Sequence, residues 1–218
     1  MLALVALSAL SWCLLSYKVW MLRKVQRITH AFTKACLENK DKLLQQEIHS
    51  LPTFSFAHFP NPCAEIFLAL KTKAMELLNK NRYFSQESGA FLHLSDLEIL
   101  EKHVLTTISF QTKKLEKNLY LLSTTVTLAP FMGLLGTVWG ILISFSHMKG
   151  GGVAHSNAMV LGGLSTALVT TVMGLLIAIP ALISHNYLRA HLKHLSSDME
   201  DFFYVLLSET ELQYRKVE

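Results

Sequence analysis

Two long stretches without a charged side chain constrain this chain more than any other feature. No Asp, Glu, Lys or Arg occurs between Lys117 and Lys149, and none between Lys149 and Arg189. Each stretch exceeds the roughly 20 apolar residues that a helix needs to cross a bilayer. A pair of buried helices in a soluble protein is the alternative, but the remaining chain is too short to cover both. The sequence therefore predicts an integral membrane protein.

The first 22 residues form a third apolar segment. A cleaved signal peptide would carry its basic residues before the apolar run. Here the basic cluster comes at the end of that run; it consists of Lys18, Arg23, Lys24 and Arg27. We therefore predict a first spanning helix at residues 1–22, with the Lys18 side chain extending towards the membrane interface.

Basic residues flank all three apolar segments in one consistent pattern. They follow the first span, precede the second and follow the third, whereas the loop between the second and third has a single Lys. Since Lys and Arg accumulate on the cytoplasmic side, the N-terminus is predicted to be periplasmic and the C-terminus cytoplasmic. This topology also accounts for the net charge of +4, so nucleic acid is not predicted as a partner.

The predicted fold class is an all-α membrane protein with three transmembrane helices and long cytoplasmic helical extensions. Its segments are transmembrane helix 1 (1–22), a cytoplasmic helical region (23–118), transmembrane helix 2 (119–146), a periplasmic loop (147–157), transmembrane helix 3 (158–185) and a cytoplasmic C-terminal helix (186–218).

Apolar residues at helical spacing continue beyond the predicted spans. They predict a helix from Val25 to about Ser50, a second helix at Cys63–Lys80 followed by a loop at Asn81–Gly89, and a break at Gly150–Gly152. Ser95 and Glu98 form a capping-box pattern, which predicts one helix from Ser95 through the second span to about Phe145. A heptad-type seam follows the third span; it comprises Leu188, Leu192, Leu195, Met199, Phe202 and Leu206.

The sequence offers no catalytic motif. Without a Walker loop, a dinucleotide-binding glycine pattern or a nucleophile elbow, we predict no enzyme activity, no catalytic residue and no cofactor. His185, His191 and His194 follow the third span, but with no acidic or Cys residue beside them they do not predict a metal site. The three cysteines match no zinc or redox spacing and are predicted to be free thiols.

Small residues recur at four-residue spacing in the second and third spans. Such residues let helix backbones approach closely in lipid. The predicted packing glycines are Gly133, Gly136, Gly140, Gly162, Gly163 and Gly174. Pro130 and Pro180 are predicted kink positions, and ordinary irregularity of membrane helices explains them equally well.

Four threonines lie at membrane depth in the same two spans: Thr137, Thr166, Thr170 and Thr171. A single Thr often bonds back to its own helix, but four on two adjacent helices predict a polar seam that lines an ion path. A hydroxyl does not titrate near neutral pH, and neither span holds a carboxylate or a Lys. If protons pass here, the titrating group must come from another chain.

Both spans also resemble a known family. Residues 128–141, LAPFMGLLGTVWGI, closely resemble the second-span signature of the TolQ and ExbB family. Residues 163–174, GLSTALVTTVMG, together with Ala178–Ala181 and Asn186, resemble the third-span signature. The resemblance is strong from about Ser123 to Asn186, and the predicted topology agrees with it over the whole chain.

The resemblance implies a pentamer in the bacterial inner membrane, whose second and third spans surround two single-span helices of a TolR- or ExbD-like partner. It implies that this partner carries a titrating membrane Asp, and that proton flow drives a motion passed to a TolA- or TonB-like transducer. Thr137 and Thr171 match the two pore threonines of the family. The family usually has a Glu where this chain has Thr166, so no role of that Glu is carried over.

Alternatives remain at two levels. Within the family, Asp201-Phe202-Phe203 favours TolQ over ExbB, and the related MotA needs a fourth span for which this chain has no room. Among functions, a non-conducting oligomeric membrane scaffold is the alternative to a proton channel. A small-molecule transporter is disfavoured, because the chain has no inverted repeat and no charged site at the membrane midplane.

Overall fold

A computed structural model describes residues 2–38, 60–84, 91–148 and 153–215, with side chains at 4–38, 60–84, 91–146 and 161–215. These residues form five helices: α1 (Leu2–Glu38), α2 (Pro62–Phe84), α3 (Leu94–Glu116), α4 (Leu119–Met148) and α5 (Val153–Tyr214). An isolated parallel bridge joins Leu92 to Arg215. The predicted all-α class is confirmed.

Three of these helices are long and apolar enough to cross a membrane. The candidate spans are Leu4–Glu38, Leu119–Ser146 and Leu161–Tyr214, which agrees with the three predicted. Large apolar side chains such as Phe131, Trp139 and Leu176 are exposed in a single copy of the chain. Side chains of this kind are stable in contact with lipid or with other membrane helices.

The chain divides into two compact units. The membrane unit comprises Met1–Val19 and Lys117–Ala190, and the core unit comprises Trp20–Glu116 and His191–Glu218. α1 and α5 each contribute one part to each unit.

The core unit is built around one apolar cluster. The Phe32 ring of α1 meets Phe67 of α2 and Phe202 of α5 edge to face, at centroid distances of 6.2 and 6.3 Å. The side chains of the predicted α5 seam that belong to this unit are all buried, and so is Phe203 beside them. Because the cluster draws on α1, α2, α3 and α5, apolar side chains of these four helices face one common core.

The predicted continuous helix from Ser95 to Phe145 is wrong. α3 ends at Glu116, a turn occupies Lys117 and Asn118, and α4 begins at Leu119. Asn118 has φ 69°, in the left-handed region that Asn enters more readily than other residues with a side chain. A heptad-like apolar pattern that continues across the turn therefore concealed the break.

The predicted capping box of α3 is also wrong. The helix begins at Leu94, so Ser95 lies inside it, and Glu98 approaches Lys102 at 3.7 Å instead. The cap is formed by Asp96, whose Oδ2 accepts hydrogen bonds from the His93 amide at 3.0 Å and from Asn81 Nδ2 at 2.7 Å. A buried carboxylate thus satisfies a free helix-end amide and ties α3 to the end of α2.

Replacement of Asp96 by alanine should destabilise the core unit by about 1–2 kcal/mol, because it removes the acceptor of the His93 amide and one of the two acceptors of Asn81 Nδ2. Chemical denaturation of the purified chain measures the change. The matched control is Ser95→Ala, one residue away and exposed. Equal stability of the two variants would show that Asp96 does not cap the helix.

The remaining helix bounds differ from the sequence predictions in smaller ways. α2 runs to Phe84, so the predicted loop start at Asn81 is wrong. At the other end of α2, Asn61 Oδ1 accepts a hydrogen bond from the Ala64 amide at 3.3 Å and caps the first turn of the helix. α1 is described as far as Glu38, and α5 continues unbroken beyond the predicted third span. The predicted end of the first helix at Ser50, most of the predicted loop and the triple glycine lie outside the described residues.

All three cysteines are free thiols, as predicted. Cys13 is exposed, whereas Cys36 and Cys63 are buried in the core unit. Burial raises the pKa of the Cys63 thiol to about 12. Since only the thiolate is a good nucleophile, Cys63 is chemically protected in the folded protein.

At about pH 7, a maleimide is expected to leave Cys63 unmodified in the folded protein and to modify it after denaturation, because unfolding restores both solvent access and an ordinary thiol pKa. Mass spectrometry of proteolytic peptides measures the labelling. Rapid modification of Cys63 in the native protein would contradict its placement in the core.

Candidate functional site: the threonine contact between α4 and α5

Two glycines bring the backbones of α4 and α5 into direct contact within the membrane unit. A Cβ atom added to Gly174 would lie 2.6 Å from the Ala129 carbonyl oxygen and 3.1 Å from Gly133 Cα. A Cβ added to Gly133 would lie 3.0 Å from both Thr170 O and Thr171 Cα. Only glycine permits this separation, and the approach puts the α5 threonines within reach of the α4 backbone.

The other predicted packing glycines differ in their surroundings. Gly136 faces the Thr170 side chain, Gly140 faces Ala167, and Gly163 faces the Ser144 hydroxyl. Gly162 does not face α4 within one chain, since a Cβ there would meet no atom within 4 Å. The helical period explains the difference, because Gly162 and Gly163 lie about 100° apart and only one of them can face α4.

Thr137 and Thr171 meet at this contact. The Thr171 hydroxyl lies 3.1 Å from the Gly133 carbonyl oxygen and 3.4 Å from Thr137 Oγ1, so it can donate to either. Thr137 donates to the Leu134 carbonyl at 2.6 Å, and its residue is 9% exposed. Both protons therefore point to acceptors within the chain, which leaves lone pairs of the two hydroxyl oxygens available to an external donor.

The structure separates the other two predicted threonines. Thr170 Oγ1 lies 2.6 Å from the Ala167 carbonyl and 3.3 Å from the Gly133 carbonyl, so Thr170 belongs to the same contact. Thr166 is exposed, and its hydroxyl bonds back to Gly162 and Gly163 of its own helix. Thr166 is therefore not brought to the α4–α5 contact within a single chain.

Two polar residues of the membrane unit were not predicted as part of the site. Ser144 is 7% exposed, donates to the Gly140 carbonyl at 2.9 Å and fits against Gly163. Its spacing of seven residues from Thr137 could have revealed it, because that spacing keeps a residue on one helix face. Lys18 is also buried, with 7% of its surface exposed, and it takes part in a non-covalent interaction; its extension towards the membrane interface stays a prediction.

Pro130 and Pro180 both lie inside continuous helices. Neither has an amide proton, so the carbonyls of Val126 and Leu176 lose their usual helical donors. Kinks at these positions remain a prediction.

The membrane unit contains no acidic residue. Neither 1–19 nor 117–190 includes an Asp or a Glu, and this is a property of the sequence itself. The contact can accept and donate hydrogen bonds, but it cannot bind and release a proton at neutral pH. Any proton carried along it needs a titrating group from outside the contact.

The fold and this site define a class: a three-span helical membrane protein whose second and third apolar helices enclose an acid-free threonine contact. The model of the MotA/TolQ/ExbB proton channel family matches residues 73–201, which is more than half of the chain. The chain belongs to the MotA/TolQ/ExbB proton channel family.

Of three relatives, two span most of the chain and one spans about a third of it. The biopolymer transport protein ExbB of Xanthomonas campestris pv. campestris is 26% identical over 211 residues, which cover 93% of this chain and 79% of the relative. The Tol-Pal system protein TolQ of Pseudomonas aeruginosa is 29% identical over 188 residues, or 85% and 75%. ExbB of Aquifex aeolicus is 42% identical over 76 residues, or 35% and 51%. Since relatives of both names match, the preference for TolQ stays a prediction.

Proposed function

We propose that this chain is the channel-forming subunit of a proton-driven motor in the bacterial inner membrane, of the TolQ–TolR or ExbB–ExbD type. The supporting observation is the hydrogen-bonded pair of Thr137 and Thr171 in a membrane unit without any carboxylate. A contact built only from hydroxyl groups can solvate a proton carrier but cannot be one. A single-span partner helix with a membrane Asp supplies the missing group.

The two hydroxyls suit both states of that aspartic acid. When the carboxyl is protonated, its O–H donates to a free lone pair of Thr137 or Thr171. When it is ionised, the Thr171 hydroxyl turns from the Gly133 carbonyl and donates to the carboxylate. An ionised carboxylate is costly at membrane depth without such donors, so the threonines lower the barrier to proton release.

The same proposal assigns an arrangement to the chain. Several copies, five by family resemblance, form a ring in which α4 and α5 surround the partner helices. The N-terminus lies in the periplasm, and the core unit lies in the cytoplasm, on the side of the flanking basic residues. Motion of the partner is passed to a TolA- or TonB-like transducer.

A non-conducting oligomeric scaffold is the second candidate function. The observation in its favour is that each threonine donor at the contact already has an acceptor within the chain. In that case the hydroxyls serve only to pack α4 against α5.

Reconstitution into proteoliposomes separates the two. Under an imposed membrane potential and pH gradient, proton uptake is expected only when the chain is co-purified with its Asp-bearing partner. Replacing that partner Asp by asparagine should reduce uptake to the level of empty vesicles. A stable oligomer that never retains such a partner would support the scaffold, and equal uptake by the chain alone would contradict the proton-carrier assignment.

A further inference from the structure

The core unit contains a cavity that the proposed proton path does not use. It lies between α1 and α5 and has a volume of about 330 Å³. Its polar lining comprises Gln26, Thr29, His30, Thr33, Asp198 and Asp201. Apolar walls come from both helices and include Phe202. The volume is at the lower end of the range for ligand pockets, which suits one long side chain better than a large cofactor.

Thr29 is a buried polar residue of the cavity lining. Its residue is 5% exposed, and within the described residues its hydroxyl has no hydrogen-bond partner. A buried hydroxyl without a partner is unfavourable, because it has lost its hydrogen bonds to water. A donor or acceptor placed in the cavity would remove that cost.

The charge of the cavity specifies the chemistry of the occupant. Asp198 and Asp201 are three residues apart on α5, so they lie on the same side of that helix. Neither carboxylate has an ion pair or a hydrogen bond to any described residue. Two negative charges beside apolar walls match a basic side chain, whose methylene stem contacts the walls while its cationic end meets the carboxylates.

We propose that this cavity binds an arginine or lysine side chain of a second copy of this chain. The core unit carries exposed cations that are complementary to the cavity; Arg23, Arg27, Lys113, Lys114 and Lys193 have no ion pair to a described residue. A chain with an acidic cavity and basic side chains elsewhere on the same unit can form a head-to-tail contact, and such contacts close into rings. The inference rests on the homo-oligomer of the proposed function.

Site-specific photo-crosslinking of the full-length chain in membranes tests the occupant. An azidophenylalanine at position 26, in the cavity lining, is expected to give a crosslinked dimer of this chain, with the adduct on a peptide containing Lys or Arg. The matched control places the same group at position 31, which is exposed on α1 outside the cavity. Equal crosslinking yields at the two positions overturn the proposal. Adducts found only with a different protein, or only with a small amine that is not part of a protein, also overturn it.

Charge variants test the energetics. Asp198→Asn and Asp201→Asn should each raise the dissociated fraction of the detergent-solubilised oligomer about two- to fivefold, the range for a partly exposed ion pair. Glu200→Gln, a carboxylate of the same helix outside the cavity, should leave it unchanged. An intact oligomer in all three variants overturns the cavity contact but not the proposed function, whereas a wild-type chain that is monomeric in membranes overturns both.

Discussion

Replacement of both Thr137 and Thr171 by valine is expected to reduce proton-driven activity about ten- to a hundredfold while the oligomer stays assembled. Valine has nearly the shape of threonine, so the α4–α5 contact keeps its packing but loses both hydroxyls. A desolvated carboxyl of the partner would then lack its hydrogen-bond partner, which costs about 1–3 kcal/mol. Each ~1.4 kcal/mol added to a barrier slows the step tenfold. Proton uptake by proteoliposomes containing the complex measures the loss.

The matched control is Thr124→Val combined with Thr127→Val. Both residues are exposed on α4, and their hydroxyls donate to carbonyls of α4 itself. The control therefore removes two hydroxyls, as the tested variant does, but both lie outside the α4–α5 contact. It should retain wild-type uptake and assembly. Full activity of the Thr137, Thr171 double variant would remove the threonines from the mechanism, and loss of its oligomer would indicate a role in packing instead.

Replacement of Gly174 by alanine should disrupt the membrane unit, because the new Cβ would lie 2.6 Å from a backbone oxygen of Ala129. A backbone atom cannot turn aside as a side chain can, so α4 and α5 must separate. Overpacking of this kind costs about 1–3 kcal/mol. We expect a lower thermal midpoint of the purified oligomer, with loss of proton uptake as Thr171 moves away from Thr137.

Gly162→Ala is the control, since it makes the same chemical change on the same helix at a position with open space. Both substitutions favour the helix by about 1 kcal/mol in intrinsic propensity, so their difference isolates the helix–helix contact. Gly163→Ala should be intermediate, because its obstacle is the Ser144 hydroxyl, which can rotate. Equal midpoints for the variants at Gly174 and Gly162 would contradict the close approach of α4 and α5.

Sequence patterns predicted the parts of the fold that are set by the transfer of apolar side chains out of water. Charge-free runs predicted three spans, and apolar periodicity predicted the buried faces of α1, α3 and α5, because transfer from water dominates both. Local patterns were less reliable. The Ser95 cap and the unbroken helix through Asn118 were wrong, since both features depend on one or two backbone dihedrals that neighbouring contacts select.

The sequence by itself determined that the membrane unit has no Asp or Glu, and that its second and third spans carry hydroxyls, those of Thr137, Thr166, Thr170 and Thr171, which do not titrate near neutral pH. Only the tertiary structure decided which hydroxyls act together. It brought Thr137, Thr170 and Thr171 to one contact across two helices, and left Thr166 and Gly162 outside that contact. The physical reason is that composition fixes which groups exist at membrane depth, whereas the rotation of each helix about its own axis fixes which of them meet.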